Sequence, residues 1–378
     1  MEKLMVIIGT KGQYVKMAPV LLELERRDIP YLLVHANQHP RITQEIAETF
    51  KLRKPDMEMQ GLGTDIARTS EALSWLASNS LFILKGTLKN GPMKYRVRDI
   101  LAKDALVVIH GDAPPALLSL ALAKRFGLRV AHVEAGERTY DILSPFPEEI
   151  IRRTVDHHSD LLFAGSPEAL RNLERERVRG KVIDIGMNTV LDAVRFVLEN
   201  YEYDMPYPPN DYVLVSLHRF ELNSSRTRLF FVFNLLEKIL AHERIVMTLH
   251  DSTRWGLQRA GLLDRLTELP NLSILPLLPY HKFINLMARA KFVVTDGGGP
   301  QQESYLLGVP CLVLREKVEL KEFPNVYVCG FSNNGVREFL DRLEDFRIAG
   351  KVNRFEHLHP STTVVDHIEN WVLNVRCS

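Results

Sequence analysis

The sequence predicts an α/β protein built from two doubly wound domains in one chain, and three observations carry that prediction. Short apolar runs alternate with amphipathic helical segments along most of the chain. A stretch rich in proline and tyrosine, "ENYEYDMPYPPND" (Glu199–Asp211), breaks the alternation midway, and the alternation then starts afresh. The 378 residues suit two domains, each able to bury a core.

The elements follow in order. "LMVIIG" (Leu4–Gly9) is apolar on both faces, as a buried parallel strand must be. A glycine-containing turn leads into "YVKMAPVLLELERR", whose apolar residues recur at helical spacing. Strand "PYLLVHA" (Pro30–Ala36) and helix "RITQEIAETF" come next. "LVVIHGD" (Leu106–Asp112), helix "APPALLSLALAKRFG", strand "RVAHVEA" and helix "PEEIIRRTVDHHS" repeat the pattern. "DLLFAGS", helix "PEALRNLERERV" and strand "KVIDIG" complete the first half. Beyond the linker, strands "YVLVSLH", "RIVMTLH", "LSILPLL", "KFVVTDG", "PCLVLRE" and "VYVCG" alternate with helices. "PSTTVVDHIENWVLNV" reads as an amphipathic C-terminal helix. The expected boundaries are 1–198 for the N-terminal domain, 199–360 for the C-terminal domain, and 361–378 for a last helix that packs back on the first domain. Short loops imply right-handed crossovers, and ligands of such sheets sit beyond the carboxyl ends of the strands. Two Rossmann-like domains facing a cleft are therefore expected.

Bulk properties remove several function classes. A net charge of +1 offers nothing for nucleic acid or an anionic membrane, so an anionic ligand must be met by local groups. Three cysteines, Cys311, Cys329 and Cys377, lack CxxC spacing, which argues against a disulfide framework or a zinc knuckle. The N-terminus "MEKLMVIIGT" has no signal-peptide pattern, and no apolar run approaches the roughly 20 residues that span a bilayer. A cytoplasmic, soluble protein without metal or cofactor is expected. No GxSxG elbow is present, which excludes an α/β-hydrolase.

Chemistry-bearing residues gather at the predicted strand ends. "GTKGQYVKMAP" (Gly9–Pro19) turns from strand to helix without GxGxxG or P-loop spacing. It places Lys11 on the turn and Lys16 in the first helical turn, where a cation opposes the helix dipole unless it faces an anion. Asp112 follows "VVIHG", Glu134 ends "VAHVE", and Glu148 sits in "SPFPEE". Each has a structural alternative: an N-cap for Asp112, a partner of Arg138 for Glu134, a favourable first-turn acid for Glu148. Grouped carboxylates push one another's pKa apart and permit acid and base roles. "VVTDGGGPQQESYLLGVP" (Val293–Pro310) leads through three glycines into a helix, an arrangement that lets backbone N–H groups approach a phosphate. It sets Glu303 on the first turn, within reach of a ribose diol. His218 and His250 end equivalent strands in "VSLHRFE" and "MTLHDST", with packing or catalysis both open to them.

These motifs resemble the UDP-N-acetylglucosamine 2-epimerases, over roughly Met5 to Glu322. "GTKGQYVKMAP" is similar to that family's GTRPEAIKMAP, and "ANQH" (Ala36–His39) to its TGQH. "HGD", "HVEAGERTYDILSPFPEEIIRR", "LHRFE" and "TDGGGPQQES" are similar to its QGD, HVEAGLRTGD-SPWPEE-NR, GHRRE and TDSGGIQEE. The resemblance implies the two-domain architecture called GT-B, a UDP-sugar substrate and a homodimer. It also implies elimination of UDP to a 2-acetamidoglucal followed by re-addition, as one step in polysaccharide synthesis. The family's acid/base carboxylates fall on Asp112, Glu134 and Glu148, and its catalytic lysine and histidine on Lys16 and His218. The family's substrate contacts fall on Arg152, Gly298, Gly299, Gln301 and Glu303, and Lys11, Arg138 and His250 are further expected substrate contacts.

The chain departs from the family pattern at Lys11, Gly12, Gln13, Phe220, Gly297, Pro300 and Gln302. It departs again in "KVELKE" (Lys317–Glu322), where only Glu319 and Glu322 match, and in "HPSTTVV" (His359–Val365). Gln38 and His39 match the segment where bacterial members bind an activating second substrate molecule. Three alternatives stay open at this point: a hydrolysing epimerase that releases free sugar and UDP, a GT-B glycosyltransferase, and an inactive sugar-nucleotide binder.

Overall fold

The computed structural model describes residues 1–36, 40–59, 78–80, 87–90, 93–141, 147–209, 211–316 and 323–374. Gln38, His39, Glu319 and Glu322 lie outside the described residues. The chain divides into two compact units, one of residues 1–193 and 357–378, the other of residues 194–356. The division falls inside the helix Val190–Asn200 instead of at the proline-rich stretch that the composition marks.

The first unit is built on a nine-stranded sheet. Its strands are β1 (Glu2–Ile8), β2 (Leu32–His35), β3 (Met57–Glu58), β4 (Thr87–Asn90), β5 (Met93–Arg96), β6 (Leu101–His110), β7 (Arg129–Val133), β8 (Leu161–Ala164) and β9 (Lys181–Asp184). They lie in the order β5-β4-β3-β2-β1-β6-β7-β8-β9, parallel from β3 to β9. The β4–β5 hairpin adds an antiparallel edge that the sequence pattern does not signal. The central strands are buried on both faces, which is why β1 and the second half of β6 read as unbroken apolar runs. Met5, Ile7, Val34, Val107, Ile109 and Val130 form the middle of the core.

Two helices frame the first unit. The Lys11–Arg26 helix starts at a capping box in which Thr10 and Gln13 satisfy each other's backbone N–H groups. The Pro360–Asn374 helix packs along it, with Arg27 reaching Asp366 at 2.7 Å and Glu369 at 2.9 Å. Its first turn is tied down by a hydrogen bond from the Ser361 N–H to the Asp192 carboxylate at 2.8 Å.

The second unit holds a six-stranded, wholly parallel sheet. It comprises β10 (Tyr212–Leu217), β11 (Arg244–Leu249), β12 (Leu272–Leu275), β13 (Val293–Thr295), β14 (Cys311–Val313) and β15 (Val326–Val328). The order is β12-β11-β10-β13-β14-β15. This is the doubly wound order, and the seven parallel strands of the first sheet run in the same sense. Val215, Phe233, Met247, Phe292, Val294 and Phe339 lie in its core. Among the described residues no helix is long and apolar enough to cross a membrane.

Glycines separate into those the packing demands and those it does not. Gly136 has φ +87°, and a Cβ there would stand 2.4 Å from the Ala169 carbonyl oxygen. Gly12 lies in the first turn of the Lys11–Arg26 helix with open space around it. In equilibrium denaturant unfolding, Gly136→Ala is expected to lower stability by roughly 2–4 kcal/mol, from overpacking together with a left-handed alanine. Gly12→Ala is expected to raise it by up to about 1 kcal/mol. Equal effects at the two positions would contradict this packing.

Candidate active site

In each sheet the strand order reverses once, between β1 and β6 in the first and between β10 and β13 in the second. A crevice opens at such a point because the flanking crossovers leave toward opposite faces, and the carboxyl ends of the strands form its floor. The residues that follow these four strands are Gly9–Lys16, Gly111–Asp112, His218–Arg219 and Asp296–Gly299. Lys11, Lys16, Asp112, His218, Gly298 and Gly299 fall within these segments.

The first unit brings Lys16 and Glu134 into direct contact. The Lys16 ammonium and the Asn188 amide both donate to Glu134 Oε2, while His110 Nε2 stands 3.8 Å from the same oxygen. Lys16 lies in the second turn of its helix, not the first, because the helix begins at Lys11. Glu134 sits just past β7 with φ +69°, a left-handed conformation that carries its carboxylate back over Gly111. Burial opposes its charge, but Lys16, His110 and Asn188 outweigh that and hold it at about 2. Burial takes His110 the other way, to about 3, so its imidazole is neutral. Asn188 has no sequence signal of its own and was not anticipated.

On the adjacent strand end, Asp112 accepts from Arg152 Nε at 2.7 Å and Nη2 at 2.5 Å. It does not cap the following helix, whose N-cap is Ala113. Glu148 is the first residue of the helix Glu148–His158, and Arg152 follows one turn later. Its neighbour Glu149 is structural: it is buried and accepts from the Thr139 N–H at 2.9 Å and the Thr139 hydroxyl at 3.1 Å.

Arg138 stands apart from this cluster, contrary to the expectation of a substrate contact. Its side chain has no exposed surface. It grips Glu176 through Nε and Nη2 at 2.9 and 2.7 Å, and reaches Asp156 at 2.8 Å through Nη1. Glu137, half-buried on the same turn, is a group the sequence did not flag. Burial and the nearby Glu134 charge push its carboxyl up to about 7.

In the second unit, the buried Asp296 carboxylate accepts from the His218 N–H at 3.0 Å and the Arg219 N–H at 2.9 Å, fixing the turn after β10. Burial raises its pKa against the opposing pull of those N–H groups. His218 and His250 stack with ring centroids 4.8 Å apart. Gly297 caps the helix Gly298–Leu307, so Gly298 and Gly299 form its first turn and Glu303 falls on the second, not the first. A Cβ at Gly297 would stand 2.6 Å from His218 Cε1, so the glycine makes room for that ring. Gln301 donates to the Gly297 carbonyl at 3.1 Å, and Glu303 faces the buried Tyr280 phenol, which is pushed well above its ordinary pKa. Lys11 takes the first position of its helix in the first unit. Phe220 is 78% exposed beside the His218 turn. Among the described residues no three His, Cys, Asp or Glu side chains are grouped to hold a metal.

Comparison with known proteins meets this geometry. The family model described as UDP-N-acetylglucosamine 2-epimerase matches residues 22–369. The UDP-N-acetylglucosamine 2-epimerase of Methanocaldococcus jannaschii is 30% identical over 335 residues, covering 85% of each chain. A crystal structure of the M. jannaschii UDP-GlcNAc 2-epimerase in complex with UDP-GlcNAc and UDP matches with a TM-score of 0.75 at 26% identity, covering 94% of this chain and 99% of that one. The Neisseria meningitidis UDP-GlcNAc 2-epimerase bound to UDP-GlcNAc shares the fold, with a TM-score of 0.78 at 24% identity over 98% and 100% of the two chains. With a model match over nearly its whole length, and with lysine, carboxylates and glycine turn at the strand ends of both sheets, the chain belongs to the UDP-N-acetylglucosamine 2-epimerase family.

Proposed function

We propose that the protein epimerises C2 of a UDP-linked 2-acetamido sugar, interconverting UDP-N-acetylglucosamine and UDP-N-acetylmannosamine. UDP is eliminated to give a 2-acetamidoglucal and is then re-added. The observation that carries this is the Lys16–Glu134–Asn188 cluster beside the Asp112–Arg152 pair, at the switch point of a sheet belonging to this family.

The chemistry needs what these groups offer. Loss of UDP breaks the C1–O bond as the C2 proton is removed, and inversion requires that proton to return on the opposite face. One carboxyl cannot attend both faces of a planar alkene, so at least two are needed. Asp112, Glu134 and Glu148 are assigned the proton transfers. Lys16 offsets the charge beside Glu134, and Arg152 orients Asp112. Charge developing on the departing diphosphate needs cations and amide dipoles. Lys11 is assigned to it, as are the backbone N–H groups of Gly298 and Gly299 in the second unit. Gln301 and Glu303 are assigned the nucleotide, and His218 and His250 the sugar or diphosphate.

Glu134 is held at about 2 and Glu137 at about 7, two groups on one turn that are mostly ionised and partly protonated at neutrality. We further propose that the protein acts in the cytoplasm as a homodimer, supplying amino-sugar nucleotides for polysaccharide synthesis.

Proton NMR of UDP-N-acetylglucosamine with the protein in D2O is expected to show deuterium at C2 of both epimers. Intact UDP-sugar without deuterium defeats the proposal, and steady release of free UDP makes the enzyme hydrolysing. Glu134→Gln and Lys16→Met are each expected to lower kcat by about 10²- to 10⁴-fold while UDP still binds in calorimetry.

Glu137 gives a pH signature. Its folded value of about 7 lies above that of an unfolded glutamate, so the native state holds the proton more tightly. Its contribution to stability is whole below about pH 4.3, the unfolded value, and is lost as pH rises through the folded value. The difference in denaturant midpoint between Glu137→Leu and wild type should therefore move in favour of the variant from pH 4 to pH 8. A pH-independent difference would contradict the assignment.

A further inference from the structure

His110 is a buried titratable group that the proposed chemistry leaves unused. It ends β6, is 2% exposed, and neither ring nitrogen makes a hydrogen bond among the described residues. Buried polar atoms are almost always paired, so an imidazole with two orphaned nitrogens beside a catalytic carboxylate calls for a reason. Among the described residues, its charged or titratable neighbours include Lys16 from the Lys11–Arg26 helix, and Glu134 and His132 from β7 and its end. Its backbone is pinned, because its carbonyl accepts from Gln13 Nε2 at 2.8 Å. Only the ring is left to adjust. A neutral imidazole carries one N–H, and Nε2 points toward Glu134 Oε2 at 3.8 Å.

Glu134 is overcommitted on one oxygen. Lys16 and Asn188 share Oε2, while Oε1 lies over Gly111. If an anionic substrate engages Lys16, a buried carboxylate loses its cation, and the next donor within reach is His110 Nε2. A movement of about 1 Å brings it to hydrogen-bond distance. We propose that His110 is a positioning residue that takes over the Glu134 carboxylate when substrate draws Lys16 away. Resting on the epimerase reading, this assigns His110 the task of keeping Glu134 oriented for its proton transfer once Lys16 is engaged elsewhere. No bond to substrate and no net proton transfer is involved. The similar family motif, QGD, has glutamine at this position, another neutral donor.

Two variants and one spectroscopic measurement test it. His110→Leu keeps the volume apolar and removes the donor; it is expected to lower kcat by about 10- to 100-fold with KM within about threefold, and to move the acid limb of the kcat profile upward. His110→Gln restores a donor and is expected to keep at least about a third of kcat and the wild-type limb. Wild-type kinetics in His110→Leu, or an equal loss in His110→Gln, overturns the proposal. The second arm does not depend on turnover. In 15N-histidine-labelled protein the His110 Nε2–H resonance, assigned by its loss in His110→Gln, is expected to move downfield on addition of UDP-N-acetylglucosamine, and not to move in Glu134→Gln. A resonance that stays in place on saturation with that ligand overturns the proposal, even where His110→Leu fails to fold. Absence of C2 deuterium in the wild type would instead count against the epimerase reading alone.

Discussion

The Asp156 carboxylate is the contact on which the first-unit site depends. It is fully buried, a costly place for a charge, and both oxygens are satisfied. Oδ1 meets His132 Nδ1 at 2.7 Å, and Oδ2 accepts from the Gly136 N–H at 3.1 Å and from Arg138 Nη1 at 2.8 Å. These donors sit on either side of Glu134. They pin the turn after β7 while the Ala135 N–H bonds the Phe163 carbonyl at 3.0 Å. A left-handed conformation costs a glutamate about 1–2 kcal/mol, so it persists only where its neighbours over-determine it. Asp156 and the two flanking strands do so here. Removal of one partner from such a network leaves a charge uncompensated, so the network sets the direction in which Glu134 points.

One helix serves both structure and chemistry. In Glu148–His158, Glu149, Arg152 and Asp156 recur at helical spacing and share the buried face. Glu149 fixes the Thr139 backbone, Arg152 holds Asp112 and Asp156 holds the Glu134 turn. Glu148, at the first helical position of the same helix, is assigned a proton transfer in the proposed reading. A buried face made of ionised groups is affordable because each meets an opposite charge or a backbone donor, and the helix thereby becomes a ruler that sets the spacing of the site.

The alternation of strands and helices was legible because parallel strands buried on both faces carry continuous apolar runs, and the C-terminal helix was legible from its amphipathic spacing. What sequence could not show is which strand ends meet. Lys16 and Glu134 are 118 positions apart, and only the switch between β1 and β6 brings their neighbourhoods together. Asn188 gave no signal, since an asparagine in a loop is ordinary. Arg138 misled because an arginine beside a catalytic motif looks like a ligand, whereas Asp156 and Glu176 claim it from distant positions. The β4–β5 hairpin was missed because "TLKN" and "MKYR" are short and polar, without an alternating apolar face. The unit boundary hid inside a regular helix because a change of contacts need not change composition.

Two departures from the family's motifs have visible consequences in this chain. Gln13 replaces a glutamate of the similar motif, and its amide does what a carboxylate cannot: Oε1 accepts from the Gly9 N–H at 2.9 Å while Nε2 donates to the His110 carbonyl at 2.8 Å. It thereby ties the β1 turn to the end of β6, the two sides of the switch point. Gly297 replaces a serine, and the vacated space holds the His218 ring. A hydroxymethyl group there would force the imidazole out of its stack with His250, since Cβ alone would approach it to 2.6 Å. Both substitutions fall at switch points: Gln13 links the two strand ends by hydrogen bonds, and Gly297 makes room for a ring.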